Sequence, residues 1–194
     1  DYIELTSVPF VISVGREDFI DNEDLDVQRM LHDMEQEKSA SHTSCPAPGT
    51  WLEQFEKSDR TFAITISSQL SGSMNSALTA MDMALEAHPE KKIAVLDSGS
   101  TGPELVLCVH ELEKLAREGV DFDEAVVRAN QFLDKTKCIF ALSSFDNLIK
   151  NGRMNKMTGF LAKALGMWGI GSASDEGKIV IEGKTKGPKK AVRA

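Results

Sequence analysis

The chain has 194 residues, 41% hydrophobic and 27% charged, with a formal net charge of −8. These values describe an ordinary soluble globular protein of one domain or two small ones. They argue against nucleic acid as the main partner, because phosphate contacts need concentrated Lys and Arg, and no apolar run has the length of a membrane span.

Val8 to Val14 (VPFVISV) predicts a strand, and an acidic loop follows from Glu17 to Asp26. Val27, Met30, Leu31 and Met34 mark one face of a helix, with Asp24 or Asp26 as its cap. Ser39 to Gly49 is turn-rich, and Pro46 and Pro48 oppose regular helix there. A short helix is expected from Trp51 to Lys57 and a strand from Thr61 to Ser67. That strand breaks into a turn carrying Ser67, Ser68, Ser71, Gly72 and Ser73. Met74, Ala77, Leu78, Met81 and Leu85 follow at helical spacing until Pro89 stops the helix.

Ile93-Ala94-Val95-Leu96 is a short unbroken apolar run, typical of a strand buried on both faces. It opens into a second polar turn from Asp97 to Gly102. Leu105, Val109, Leu112 and Leu115 mark the next helix. Asp121 and Glu124 open another, with Phe122, Ala125, Ala129, Phe132 and Leu133 as its stripe. Beyond it the pattern predicts a strand at Cys138 to Leu142 and a short helix at Phe145 to Lys150 ended by Asn151-Gly152. A small helix at Lys156 to Leu165 and a strand at Lys178 to Lys184 complete the reading. The strand–helix alternation assigns residues 1–135 to an α/β domain with a mostly parallel sheet, and 136–194 to the beginning of a second α/β domain.

A turn that sets hydroxyls and the unpaired N–H groups of a new helix around one point suits an anionic oxygen, although serines there also serve as plain caps. In open parallel sheets, ligands bind beyond the carboxyl ends of strands. That rule brings the turns at Ser67 to Ser71 and Asp97 to Thr101 together, with the loop around Thr43 within reach. A serine nucleophile is disfavoured, because the flanking glycines of a nucleophile elbow are missing around Ser68. Neither glycine-rich phosphate-loop pattern follows any strand.

His42 and Cys45 make at most half of a metal site, with no second pair at ligand spacing, so no metal is expected. Cys108 and Cys138 read as small core hydrophobes, and Cys45 as a reactive thiol only if its pKa is lowered. Three cysteines without framework spacing fit a reducing cytoplasm. From Gly183 to Ala194 there are five cations (Lys184, Lys186, Lys189, Lys190 and Arg193) and no acid, and Arg153 follows the Asn151-Gly152 turn. Such a run is a solvated basic face, or a docking patch for an acidic partner or a phosphate-bearing ligand.

Taken together these segments resemble the DegV family of bacterial lipid-binding proteins. His42-Thr43-Ser44-Cys45-Pro46-Ala47-Pro48-Gly49 is similar to the family's TSQPSPG-like loop. Ile66-Ser67-Ser68-Gln69-Leu70-Ser71-Gly72 matches its ISS-x-LSG turn, and Val95-Leu96-Asp97-Ser98 its V-x-DS turn. Leu148-Ile149-Lys150-Asn151-Gly152-Arg153-Met154 resembles the L-x-KGGRI element, Glu176-Gly177-Lys178-Ile179 the DGKI hairpin, and Lys184 to Ala191 the basic stretch ending in KKA.

The resemblance implies two α/β domains with a long-chain fatty acid between them, bound by a subunit that is not itself an enzyme. A separate fatty acid kinase catalytic subunit would phosphorylate the presented acyl group for phospholipid synthesis. By motif, Thr43 and Ser68 would hold the carboxylate, Ser67, Ser71, Gly72 and Ser98 would support the pocket, and Arg153, Lys184 and Lys186 would meet the partner or the acyl phosphate. The fatty acid is a ligand, and no cofactor is implied. A cytoplasmic location follows, with no transmembrane segment and at most transient membrane contact.

Cys45 stands where the family usually has Gln, and Gly169 and Ile170 fall where an IKP triplet is common, so a remodelled loop is expected there. The family's opening TDS strand and the portion after KKA, which usually supplies a histidine, are not in the sequence. An internal portion truncated at both ends is therefore expected. The start at Asp1 without an initiator Met agrees, and no signal segment opens the chain. Two other readings stand beside this one: an acyl hydrolase or transferase using Ser68 or Cys45, and a protein-interaction module acting through the basic stretch.

Overall fold

A computed structural model describes residues 3–154 and 167–193. The helix expected at Lys156 to Leu165 lies outside the described residues. In chain order the elements are β1 (Val11–Val14), β2 (Glu17–Ile20), α1 (Val27–Gln36), β3 (His42–Ser44), α2 (Pro48–Phe55), β4 (Arg60–Thr65), α3 (Ser73–Ala87) and β5 (Lys92–Asp97). They continue with α4 (Pro103–Arg117), α5 (Phe122–Leu133), β6 (Ile139–Leu142), α6 (Asp146–Lys150), β7 (Met167–Ala173), β8 (Ile179–Lys186) and α7 (Pro188–Ala191).

Two compact units share the chain. The first holds Asp1–Pro9, Cys45–Cys138 and Asp175–Lys178, and the second holds Phe10–Ser44, Ile139–Ser174 and Ile179–Ala194. The strand–helix alternation assigns all of 1–135 to one domain. Residues 10–44 instead cluster with the second unit, so the units interleave along the sequence.

The first unit is built on a parallel pair, β4 and β5, with Ala63 opposite Val95 and Ile64 opposite Leu96. Its side chains alternate between two cores, as the period of a strand requires. Ala63 and Ile93 pack with Trp51 and Phe55 of α2 and with Ala77, Ala80 and Ala84 of α3. The small α3 residues let that helix lie close to the strands. Leu96 packs with Cys108, Leu112, Ala129 and Leu133 of α4 and α5, joined by Phe62 and Ile64. The apolar run at 93–96 is thus a strand covered on both faces, as its composition predicted. Burial, and after it the charge of Glu111, pushes the Cys108 thiol up to about 11. It stays neutral and behaves as a core group, whereas Cys138 is only half-buried.

Caps and prolines set the helix starts. Asp121 accepts the Asp123 and Glu124 amides at 2.9 and 3.4 Å, satisfying N–H groups that α5 cannot pair itself. Asp26 does the same for Arg29 at the start of α1, at 2.9 Å. Pro48, expected to oppose helix, stands in the first turn of α2, where a missing N–H has no intrahelical partner to lose.

The second unit holds two antiparallel sheets of three strands, ordered β2-β1-β3 and β6-β7-β8. The α/β class stands, but the mostly parallel sheet does not: among the described residues the only parallel pairing is β4 with β5. The first strand pairs antiparallel because the chain reverses immediately after it. Val14 and Glu17 are register partners, so Gly15-Arg16 is a two-residue turn, with Gly15 at φ 61. A positive φ at the first central residue alone is the pattern of a type II′ hairpin.

The supposed acidic loop therefore begins as strand β2, which turns Phe19 inward onto Val14 and Met30 and leaves Glu17 and Asp18 outside. Gly169 and Ile170, expected in a remodelled loop, lie within β7. Gly169 is demanded by packing, since a Cβ there would overlap the ring of buried Phe145. Gly171 meets the Phe140 ring and the Val180 carbonyl in the same way, beside a bulge between Ile170 and Gly171.

Overpacking costs about 1–3 kcal/mol, so Gly169→Ala is expected to lower the urea midpoint. Adding Phe145→Leu should recover part of that loss, and equal midpoints for Gly169→Ala and the parent would count against this packing.

Candidate functional site

The first unit places two polar turns at the carboxyl ends of its parallel strands, where the alternation rule expects ligands. The turn after β4 carries Ser67, Ser68, Ser71 and Gly72, and β5 ends on Asp97 and opens into a turn carrying Ser98 and Ser100. Backbone bonds join the two: Ser67 N–H donates to the Ser100 carbonyl at 2.8 Å and Ser98 N–H to the Thr65 carbonyl at 3.1 Å.

The N–H groups of Ser68, Gln69, Leu70, Ser71 and Ser73 are satisfied within the two turns. Ser68 N–H donates to both Asp97 carboxylate oxygens, each at 3.2 Å. Gln69 N–H donates to Ser67 Oγ at 3.2 Å, and the Leu70 and Ser71 amides donate to the Ser67 carbonyl at 2.9 and 3.1 Å. Ser73 N–H donates to Ser71 Oγ at 3.2 Å.

The hydroxyls divide by burial. Ser67 is fully buried, and its Oγ donates to the Gly177 carbonyl at 2.7 Å. Gly177, at φ 78, lies so close that a Cβ there would strike Ser67 Oγ and the Gly99 backbone. Ser98 is buried, and its Oγ accepts from Ser100 N–H at 3.1 Å. Ser71 Oγ pairs with Ser73 Oγ at 2.9 Å at the head of α3. Gly72, the cap of that helix, stands beside the Cys45 thiol. Ser68 is exposed, and its hydroxyl makes no hydrogen bond among the described residues.

Asp97 was not singled out in the sequence, yet it holds the turn by accepting from Ser68 and, at 3.0 Å, from Gly99. The signal was present: an aspartate ahead of Ser-Gly-Ser commonly bonds the amide two residues on.

Thr43 belongs to the second unit, at the centre of β3, with Ile12 of β1 as its register partner. Its side chain is exposed. The same unit holds Arg153, whose Nη1 donates to the Asn151 carbonyl at 3.2 Å. Lys184 and Lys186 share the exposed face of β8, two residues apart as a strand requires. Among the described residues no group of three or more His, Cys, Asp or Glu is placed to hold a metal ion, and no helix is long and apolar enough to cross a membrane.

The DegV family model, described as "Uncharacterised protein, DegV family", matches residues 1–194. A DegV domain-containing protein of Streptococcus pneumoniae is 40% identical over 188 residues, which cover 97% of this chain and 67% of that protein. Among solved structures, a DegV family protein from Eubacterium eligens loaded with heptadecanoic acid is 39% identical with a TM-score of 0.92, covering 96% of this chain and 67% of that one. The Streptococcus pneumoniae fatty acid kinase (Fak) B3 protein loaded with linoleic acid is likewise 39% identical at a TM-score of 0.92, covering 96% of this chain and 66% of that one. The chain spans about two thirds of the length of these relatives. A match over its whole length, relatives at 40% identity and a shared fold show that the chain belongs to the DegV family.

Proposed function

We propose that the protein binds a long-chain fatty acid and presents it to a separate kinase subunit that forms the acyl phosphate. The observation that carries this is the agreement of fold with two proteins of 39% identity solved with heptadecanoic and linoleic acid. The name of the second, a fatty acid kinase B protein, supports the kinase partnership. Each buried methylene contributes about 0.8 kcal/mol, so the acyl tail supplies most of the affinity and the polar end fixes orientation.

In this reading Ser68 and Thr43 donate to the carboxylate, while Ser67, Ser71, Gly72 and Ser98 hold the turn in shape. The exposed Ser68 hydroxyl and the internally satisfied amides around it support that division. Arg153, Lys184 and Lys186 serve the kinase partner or the acyl phosphate. The protein performs no chemistry of its own: Ile66 and Leu70 stand where a nucleophile elbow around Ser68 needs glycines. Three free cysteines support a cytoplasmic location.

A hydrogen bond to a charged group is worth about 1.5–3 kcal/mol, or roughly one to two orders of magnitude in affinity. Thr43→Val and Ser68→Ala are each expected to weaken binding of heptadecanoic acid by that amount, measured by competition against its methyl ester. The double variant should discriminate poorly between acid and ester. Ser67→Ala should instead lower the urea midpoint, because it leaves the Gln69 N–H and the Gly177 carbonyl without partners. Undiminished preference for the free acid in the double variant would place the clamp elsewhere.

Charge reversal at Arg153 and Lys186 is expected to slow association with the kinase subunit and flatten its salt dependence while lipid content stays unchanged. Stopped-flow association alongside mass spectrometry of extracted lipid checks both halves, and equal lipid loss would remove these residues from the partner surface. Finally, the purified protein should not hydrolyse acyl esters; ester turnover abolished by Ser68→Ala would establish the hydrolase reading instead.

A further inference from the structure

The second unit contains a side-chain amide whose bonds fix its own orientation. Asn151 is half-buried and caps the end of α6 at φ −93 and ψ 9. Its Nδ2 donates to the Ser41 carbonyl at 3.0 Å and to the Asn147 carbonyl at 2.9 Å. With both amide protons used, turning the group over would point its oxygen at two carbonyls. Oδ1 is therefore the acceptor, 3.2 Å from His42 Nδ1, and the network assigns the proton to that ring nitrogen.

The neighbours of these partners give the arrangement its meaning. His42 directly precedes Thr43 on β3, and Ser41 stands just before that strand, an edge strand whose other side pairs with β1. On the other side, the Asn151 carbonyl accepts from Arg153 Nη1 at 3.2 Å, and the Arg153 amide returns to the Leu148 carbonyl at 2.8 Å. Two side-chain bonds of one residue thus join segments 109 and 110 positions apart in sequence.

We propose that Asn151 is a positioning residue that fastens the strand carrying Thr43 to the loop carrying Arg153, so that a fatty acid held at Thr43 stiffens the loop that meets the kinase partner. This rests on the reading of Thr43 as a ligand contact and Arg153 as a partner contact. Removing the side chain leaves the backbone cap of α6 intact, since Asn151 N–H donates to the Asn147 carbonyl at 3.0 Å. Glycine is compatible with the φ and ψ at this position.

Hydrogen–deuterium exchange on the protein, free and with heptadecanoic acid, tests the tie. One net hydrogen bond shifts a local opening equilibrium by about 2–12-fold. Without ligand, Asn151→Gly is expected to speed exchange about tenfold at residues 42–44 and at residues 152–154 together. His42→Ala, which removes one of the two crossing bonds, should speed both places about threefold, and its effect should vanish in the Asn151→Gly background.

With the acid bound, residues 152–154 should slow by about threefold or more in the parent and remain unchanged in Asn151→Gly, although residues 42–44 slow in both. Faster exchange at only one of the two segments, additive effects of the two substitutions, or equal slowing of 152–154 in parent and variant overturns the proposal. A parent whose residues 42–44 ignore the acid overturns the reading of Thr43 as a ligand contact and the relay with it, while the ligand-free comparison still decides whether Asn151 joins the segments.

Discussion

The serine turn keeps its shape because a carboxylate at the end of one strand accepts an amide of the turn after the other. A parallel pair has no hairpin to join its strands, so its two carboxyl-end loops need another bond between them. Asp97 supplies it by accepting from Ser68 on one loop and Gly99 on its own. The backbone bond from Ser67 to Ser100 closes the same gap from the other side. With these amides occupied, the turn offers the exposed Ser68 hydroxyl and Gln69 side chain to solvent.

This division separates tasks that the sequence shows as one cluster. Ser67, Ser98 and Ser100 are buried and carry the bonds that hold two loops in register. The Ser67 and Ser98 hydroxyls and the Ser100 backbone act on the fold, and Ser68 is left to act outward. A hydroxyl is suited to that: it binds a carboxylate without imposing a fixed positive charge, and it accepts as readily as it donates.

Much of this was legible in the residues. The apolar run at 93–96, the caps Asp26 and Asp121, and the strand–turn–helix around Ser67 each carry a local signal that tertiary packing reinforces. What stayed hidden depends on partners far along the chain. The hairpin at Gly15-Arg16 was masked by the acidic residues of β2, which is too short to show convincing alternation around Phe19. The reason for glycine at 169 is the ring of Phe145, and the reason for glycine at 177 is the hydroxyl of Ser67, 110 positions earlier. No local pattern announces such contacts. Asn151 has the sequence signature of a helix stop, which it is, but its side chain answers to Ser41 and His42.

The interleaving of the two units has a consequence for how the protein is made. The Ser67–Gly177 bond spans 110 residues, and so does the Asn151–Ser41 bond. Each joins an early segment to one that leaves the ribosome much later. Residues 45–138 can assemble their sandwich of helices and strands during synthesis, but the buried serine hydroxyl must wait for Gly177. Residues 10–44 must wait longer, until the strands after Cys138 arrive to complete their unit. Long-range closure of this kind slows folding and leaves strand edges uncovered meanwhile. It also means that no single cut in the gene releases either unit whole, so the two are inherited, expressed and lost together.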